Sequence, residues 1–106
     1  MRTALVILLI GLIALVGLAF AFSTDGAVDH GREVYAVQKC ALCHSIGGIG
    51  GNKLALDNVG SKLKPEDIKK WIRTPKEMKP GTIMKPYPNL PDKDLNDLTA
   101  FLLTLR

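Results

Sequence analysis

Between Arg2 and Asp25 the sequence has no ionisable side chain. A stretch so poor in charge does not belong to a soluble core, and residues 1–22 are set apart as a secretory signal peptide or an N-terminal membrane anchor. Two outcomes are open. Ala19, Phe20 and Ala21 place small residues where a signal peptidase reads, which favours cleavage after Ala21 and a soluble product. The apolar run from Ala4 to Phe22 approaches the roughly 20 residues that span a bilayer, which favours retention as an anchor. In both, Arg2 stays on the cytoplasmic side. Residues 23–106 then form one domain on the exported side, in the periplasm or on the outer face of the cytoplasmic membrane.

Other scarcities narrow the function. Of 14 basic side chains, 13 remain once Arg2 is set aside, against 10 acidic ones, a net +3. No basic tract interleaved with aromatics appears, so nucleic-acid binding is not expected. Nothing resembles a paired-carboxylate cleft or a free Ser or Cys nucleophile, so the domain is not expected to be an enzyme. Cysteine is scarce: Cys40 and Cys43 are the only two. A disulfide between them would close a loop of a few residues and contribute little entropy. A small domain of this size gains more from a large apolar cofactor in its core.

The apolar pattern is helical, with no convincing strand. Val28, Gly31, Val34 or Tyr35, and Gln38 recur at spacings of three and four, predicting a helix from about Ala27 to Cys40. In KPEDIKKWIRTP, Pro65 opens a second helix, Glu66 and Asp67 suit its first turn, Ile68, Trp71 and Ile72 form the buried stripe, and Pro75 ends it. In PDKDLNDLTAFLLTLR, Pro91, Asp92 and Asp94 mark the start of a third, with Leu95, Leu98, Phe101 or Leu102, and Leu105 on one face. GGIGGNKLALDNVG and KPGTIMKPYPN read as irregular loops. The expected fold is all-α: three main helices and irregular loops around a bound group.

The stretch CALCH, residues 40–44, decides what that group is. A thiol–disulfide module wants a βαβ context around the pair. Zinc would draw on Cys40, Cys43, His44 and His30, but His44 adjoins Cys43, and neighbouring ligands close a tetrahedron poorly. Covalent haem attachment accounts for every position. The two thiols form thioethers with the porphyrin, the adjacent His44 is the proximal iron ligand, and the spacing is that of c-type haem attachment.

From about Gly31 to Leu105 the chain resembles a class I cytochrome c of the short, monohaem bacterial kind. The residues that carry the resemblance are GREVYAVQKCALCH, WIRTPKEMKPGTIM with its Pro-Gly-Thr-x-Met, and Phe101. The resemblance implies that Gly31 lets the last helix cross closely, with Tyr35 and Phe101 as the flanking aromatics. It makes Met84 the distal axial ligand, held in a proline-stiffened loop, with Met78 as the fallback. It puts His30 on the wrong side to serve. Trp71 is implied near the haem, within reach of Met84 or a propionate, or else as plain core; Thr82 and Lys79 are candidates for holding propionates. Lys76, Lys79 and Lys85 read either as solvated surface or as a docking patch for an acidic redox partner. One departure stands out: where the family has a proline whose carbonyl accepts the proximal His N–H, the register places Asn52.

The implied function is a one-electron carrier with one haem c and His/Met ligation, suited to a respiratory chain. A membrane-tethered subunit of a larger respiratory complex is the nearest alternative. An open-site haem sensor or weak peroxidase is the alternative of a different class.

Overall fold

The computed structural model describes residues 26–106. The segment expected to be a signal or anchor therefore lies outside the described residues. Among the described residues no helix is long and apolar enough to cross a membrane.

Helix α1 runs over residues 26–37 and stops short of the cysteines. Lys39 takes a left-handed φ of 59°, and Cys40–Leu42 form one tight 3-10 turn. Helix α2 spans Val59–Lys62, α3 Pro65–Arg73, α4 Pro75–Met78 and α5 Asp92–Leu103. In α3, Pro65 occupies the first turn, where its missing N–H costs nothing, and Glu66 and Asp67 sit at the positive end of the helix. Ile68 and Ile72 are buried on its inner face, each worth about 1.5–3 kcal/mol of apolar burial.

The all-α expectation is corrected. The glycine-rich stretch after the haem-attachment sequence is a small sheet of order β2-β1-β3, with β1 at His44–Ile46, β2 at Ile49–Gly50 and β3 at Leu54–Ala55. β1 and β2 pair antiparallel through a turn in which Gly47 and Gly48 take φ of 59° and 78°. The Asp57 carboxylate accepts the Gly47 N–H at 2.6 Å and holds that turn. β1 and β3 pair in parallel, with His44 opposite Leu54. The helical part also differs from a three-helix plan: α2 and α4 are single turns that the sequence pattern does not signal. Pro75, expected only to end a helix, opens α4 and is among the most deeply buried side chains. Pro91 caps α5 rather than standing within its first turn, and Leu105 lies beyond its end.

α1 and α5 cross at Gly31. A Cβ there would run into the carbonyl oxygen of Asp97 and come within 2.8 Å of the Phe101 Cβ. Phe101 packs edge-on against Tyr35, ring centroids 5.7 Å apart, and the Arg32 guanidinium lies 5.2 Å from the Phe101 ring centroid. Val34, Leu95, Leu98 and Leu102 close the core around the crossing. Beside it, His30 Nδ1 is 2.7 Å and Lys93 Nζ 2.6 Å from Asp97 Oδ2. These two contacts hold the Asp97 carboxyl below its ordinary value, the Lys93 hydrogen bond first and the His30 bond second. Gly60 donates its N–H to the Leu105 carbonyl at 2.8 Å, fixing α2 on the end of α5.

Candidate haem site

Between the sheet, α3 and α5 lies an apolar cavity of about 470 Å³, within the size range of cofactor pockets. Its aliphatic wall comes from Leu56, Ile68, Ile72, Leu98 and Leu102. Three groups with chemistry border it from separate parts of the chain: Cys40 from the turn after α1, His44 from β1, and Met84 from the loop before α5.

The His44 side of the cavity is built by the sheet. His44 Nδ1 lies 3.1 Å from the Leu54 carbonyl oxygen. With the proton on Nδ1 donated to that carbonyl, Nε2 is left as the lone-pair nitrogen, the arrangement of a metal-ligating imidazole with its outer hydrogen bond in place. The acceptor is thus Leu54 and not Asn52, which is exposed. The register across β1 and β3 makes this pairing, and no side-chain signal marks it in the sequence. Cys43 is exposed and does not border the cavity, whereas Cys40 is half-buried. Burial is the first cause that pushes the Cys40 thiol up, followed by the nearby Cys43, against a lowering backbone hydrogen bond.

The Met84 side is a loop. The Met84 N–H donates to Thr82 Oγ1 at 3.2 Å, and the Thr82 N–H to the Lys79 carbonyl at 3.0 Å. Thr82 and Lys79 therefore shape the loop, and neither borders the cavity. Trp71 does border it, from α3. Met78, the last residue of α4, does not. His30 is engaged with Asp94 at 3.6 Å and Asp97 at 2.7 Å at the helix crossing, away from the cavity lining. Lys76 and Lys85 are exposed, and the Lys85 ammonium stands 5.5 Å from the Tyr87 ring centroid.

Two features of this region go beyond the sequence reading. Tyr35 borders the cavity, and its buried hydroxyl has no hydrogen-bond partner among the described residues. Burial, then Cys40, raises its pKa. Arg73 reaches the loop's far end, donating to the Pro88 carbonyl at 2.9 Å and to Asp92 Oδ1 at 2.7 Å.

Residues 26–102 match the family described as cytochrome c oxidase, cbb3-type, subunit III. The chain belongs to this family. As a c-type cytochrome domain it carries covalently bound haem c, and the residues present fit that group. An aliphatic cavity of cofactor size is bordered by one thiol of the attachment pair, by an imidazole with its second nitrogen already hydrogen-bonded, and by a thioether. Among curated proteins, the chain is similar to the cytochrome c oxidase subunit 2 of Alkalihalophilus pseudofirmus, at 30% identity over 92 residues. The match takes in 78% of this chain and 27% of that protein, so the chain spans about a quarter of the relative's length. No solved structure matches. The family points to haem-based electron transfer.

Proposed function

We propose that this cytochrome c domain is a single-haem, one-electron carrier with His44 and Met84 as axial ligands. The observation that carries the proposal is that His44 and Met84, 40 positions apart in the sequence, border one and the same aliphatic cavity beside Cys40. When bound, haem supplies the ferrous–ferric couple. Cys40 and Cys43 would hold it by thioether bonds, His44 would offer Nε2, and Met84 would offer its thioether sulfur. An aliphatic wall would disfavour the added positive charge of ferric iron, which together with Met/His ligation would raise the potential relative to bis-His. Trp71 packs on the same site from α3.

With His44 and Met84 both holding the iron, no substrate would reach it, and the domain would act as a carrier rather than an enzyme. Its home is the exported side of the bacterial inner membrane, free or tethered by residues 1–22. The likeness to two oxidase subunits favours a second reading of the same chemistry, in which the domain is the haem-bearing part of a larger respiratory complex. Lys76, Lys79 and Lys85 supply the positive side of a contact with an acidic redox partner, an effect that salt screens. The experiment is an absorption spectrum of the reduced protein with and without carbon monoxide. A thioether-linked haem spectrum that a stoichiometric amount of carbon monoxide leaves unchanged is the expected result. Ready binding at neutral pH would turn the assignment to an open-site sensor or weak peroxidase.

A further inference from the structure

The loop that bears Met84 has no regular secondary structure between the end of α4 and the start of α5. Something else must hold it over the cavity. Towards α4 it is fixed by its own turn, through the Thr82 and Lys79 contacts described above. Beyond Met84 its backbone is fixed to α3, where the Tyr87 N–H donates to the Ile72 carbonyl at 2.9 Å. Pro86, between Met84 and Tyr87, narrows the φ range of the intervening chain. All of these keep the loop on the side of α3 and α4.

One contact crosses to the other side. The Tyr87 hydroxyl donates to the Gln38 carbonyl at 3.2 Å, over 49 positions of sequence. Gln38 follows α1 directly and stands two residues before Cys40. Among the described residues this is the one hydrogen bond that joins the Met84 loop to the segment carrying the attachment cysteines. The Tyr87 ring itself packs half-buried against the core, with the Lys85 ammonium over it, so the hydroxyl is aimed by packing on its ring and backbone. We propose that Tyr87 is a positioning residue: its hydroxyl ties the Met84 loop to the Cys40 turn and so keeps Met84 against the cavity. This inference rests on the ligand role of Met84 proposed above.

The consequence is a population. A competing ligand enters only when the loop is open, so its apparent affinity scales with the open fraction. A hydroxyl-to-carbonyl bond at 3.2 Å is long for its kind, so its loss shifts that fraction roughly two-fold, as for a hydrogen bond at the low end of net strength. Tyr87→Phe removes the hydroxyl and keeps the ring, the backbone bond to Ile72 and the site for Lys85.

The test is the carbon monoxide affinity of the ferrous holoprotein in wild type, Tyr87→Phe, Met84→Ala and the double variant. The expected result is a roughly two-fold lower apparent Kd for Tyr87→Phe and a much lower one for Met84→Ala. The double variant is expected to match Met84→Ala alone. If Met84→Ala tightens binding but Tyr87→Phe does not, the tether is wrong and the ligand assignment stands. If Tyr87→Phe tightens binding equally in the Met84→Ala background, Tyr87 acts on the cavity itself and the tether is again wrong. If Met84→Ala changes nothing, the ligand assignment fails and takes the tether with it.

Discussion

His44 and Leu54 face each other across the parallel pair β1 and β3, and the imidazole Nδ1 of the one lies 3.1 Å from the carbonyl oxygen of the other. The sheet would thus serve the proposed ligand role as well as the fold: a proton on Nδ1 donated to Leu54 leaves Nε2 free and raises the basicity of His44 as a ligand. A more basic ligand favours ferric iron. Leu54→Gly, which loosens β3, is therefore expected to raise the midpoint potential by roughly 10–60 mV, the upper figure being a tenfold change for one electron. Redox titration of the variant against wild type measures it. A fall in potential would contradict this role for the Leu54 carbonyl.

Gly31 has no room for a methyl group beneath the Asp97 carbonyl and Phe101. Gly31→Ala must push α1 and α5 apart and loosen the Tyr35–Phe101 contact. A loss of about 1–3 kcal/mol is expected, as for overpacking elsewhere, read as a lower urea midpoint at unchanged m. A neutral outcome would mean that the helices cross elsewhere.

Asp97 carries a pH dependence with a definite sign. Lys93 and His30 hold its folded pKa below the ordinary 3.8. Its stabilisation is therefore fully present above that value and lost as pH falls through the lower folded pKa. Asp97→Asn should lower the melting temperature at neutral pH, and the gap to wild type should close below about pH 3.8. Thermal unfolding across pH 2–7 checks this. A gap that stays constant would assign the loss to packing.

Arg73 donates to a backbone carbonyl and to a carboxylate, and the two contacts differ in worth. Asp92 has a side chain 93% exposed, so that ion pair contributes about 0–1 kcal/mol. The bond to the Pro88 carbonyl anchors the distal loop. Arg73→Met should cost about 1–2 kcal/mol, whereas Asp92→Asn should cost less than about 0.5 kcal/mol. Equal losses would show that the ion pair, not the loop, is what Arg73 serves.

The elements most readable in the sequence were those with enough length to show a period. Ile68 and Ile72, Leu95 and Leu98, and the prolines at 65 and 91 mark α3 and α5, and the spacing of CALCH and the setting of Met84 bring the cavity's polar groups to notice. The sheet was not legible, because strands of two or three residues cannot show alternation. Its turn rests on Gly47 and Gly48, which in sequence look like any glycine-rich loop. Pro75 ends α3 and begins α4 at once, and sequence rules state each role but not their coincidence. The Leu54 carbonyl and the Gln38 carbonyl escaped because a main-chain acceptor leaves no mark on residue type. Tyr87 between Pro86 and Pro88 was the one visible sign of its contact.

The proposed carrier depends above all on Met84 completing the iron's ligand set. It is tested most directly by the sulfur-to-iron charge-transfer band of the ferric holoprotein, measured in wild type, Met84→Ala and Met78→Leu. The band is expected in wild type and Met78→Leu and is lost in Met84→Ala. A band that survives Met84→Ala, or that is absent from the wild-type protein, would contradict it.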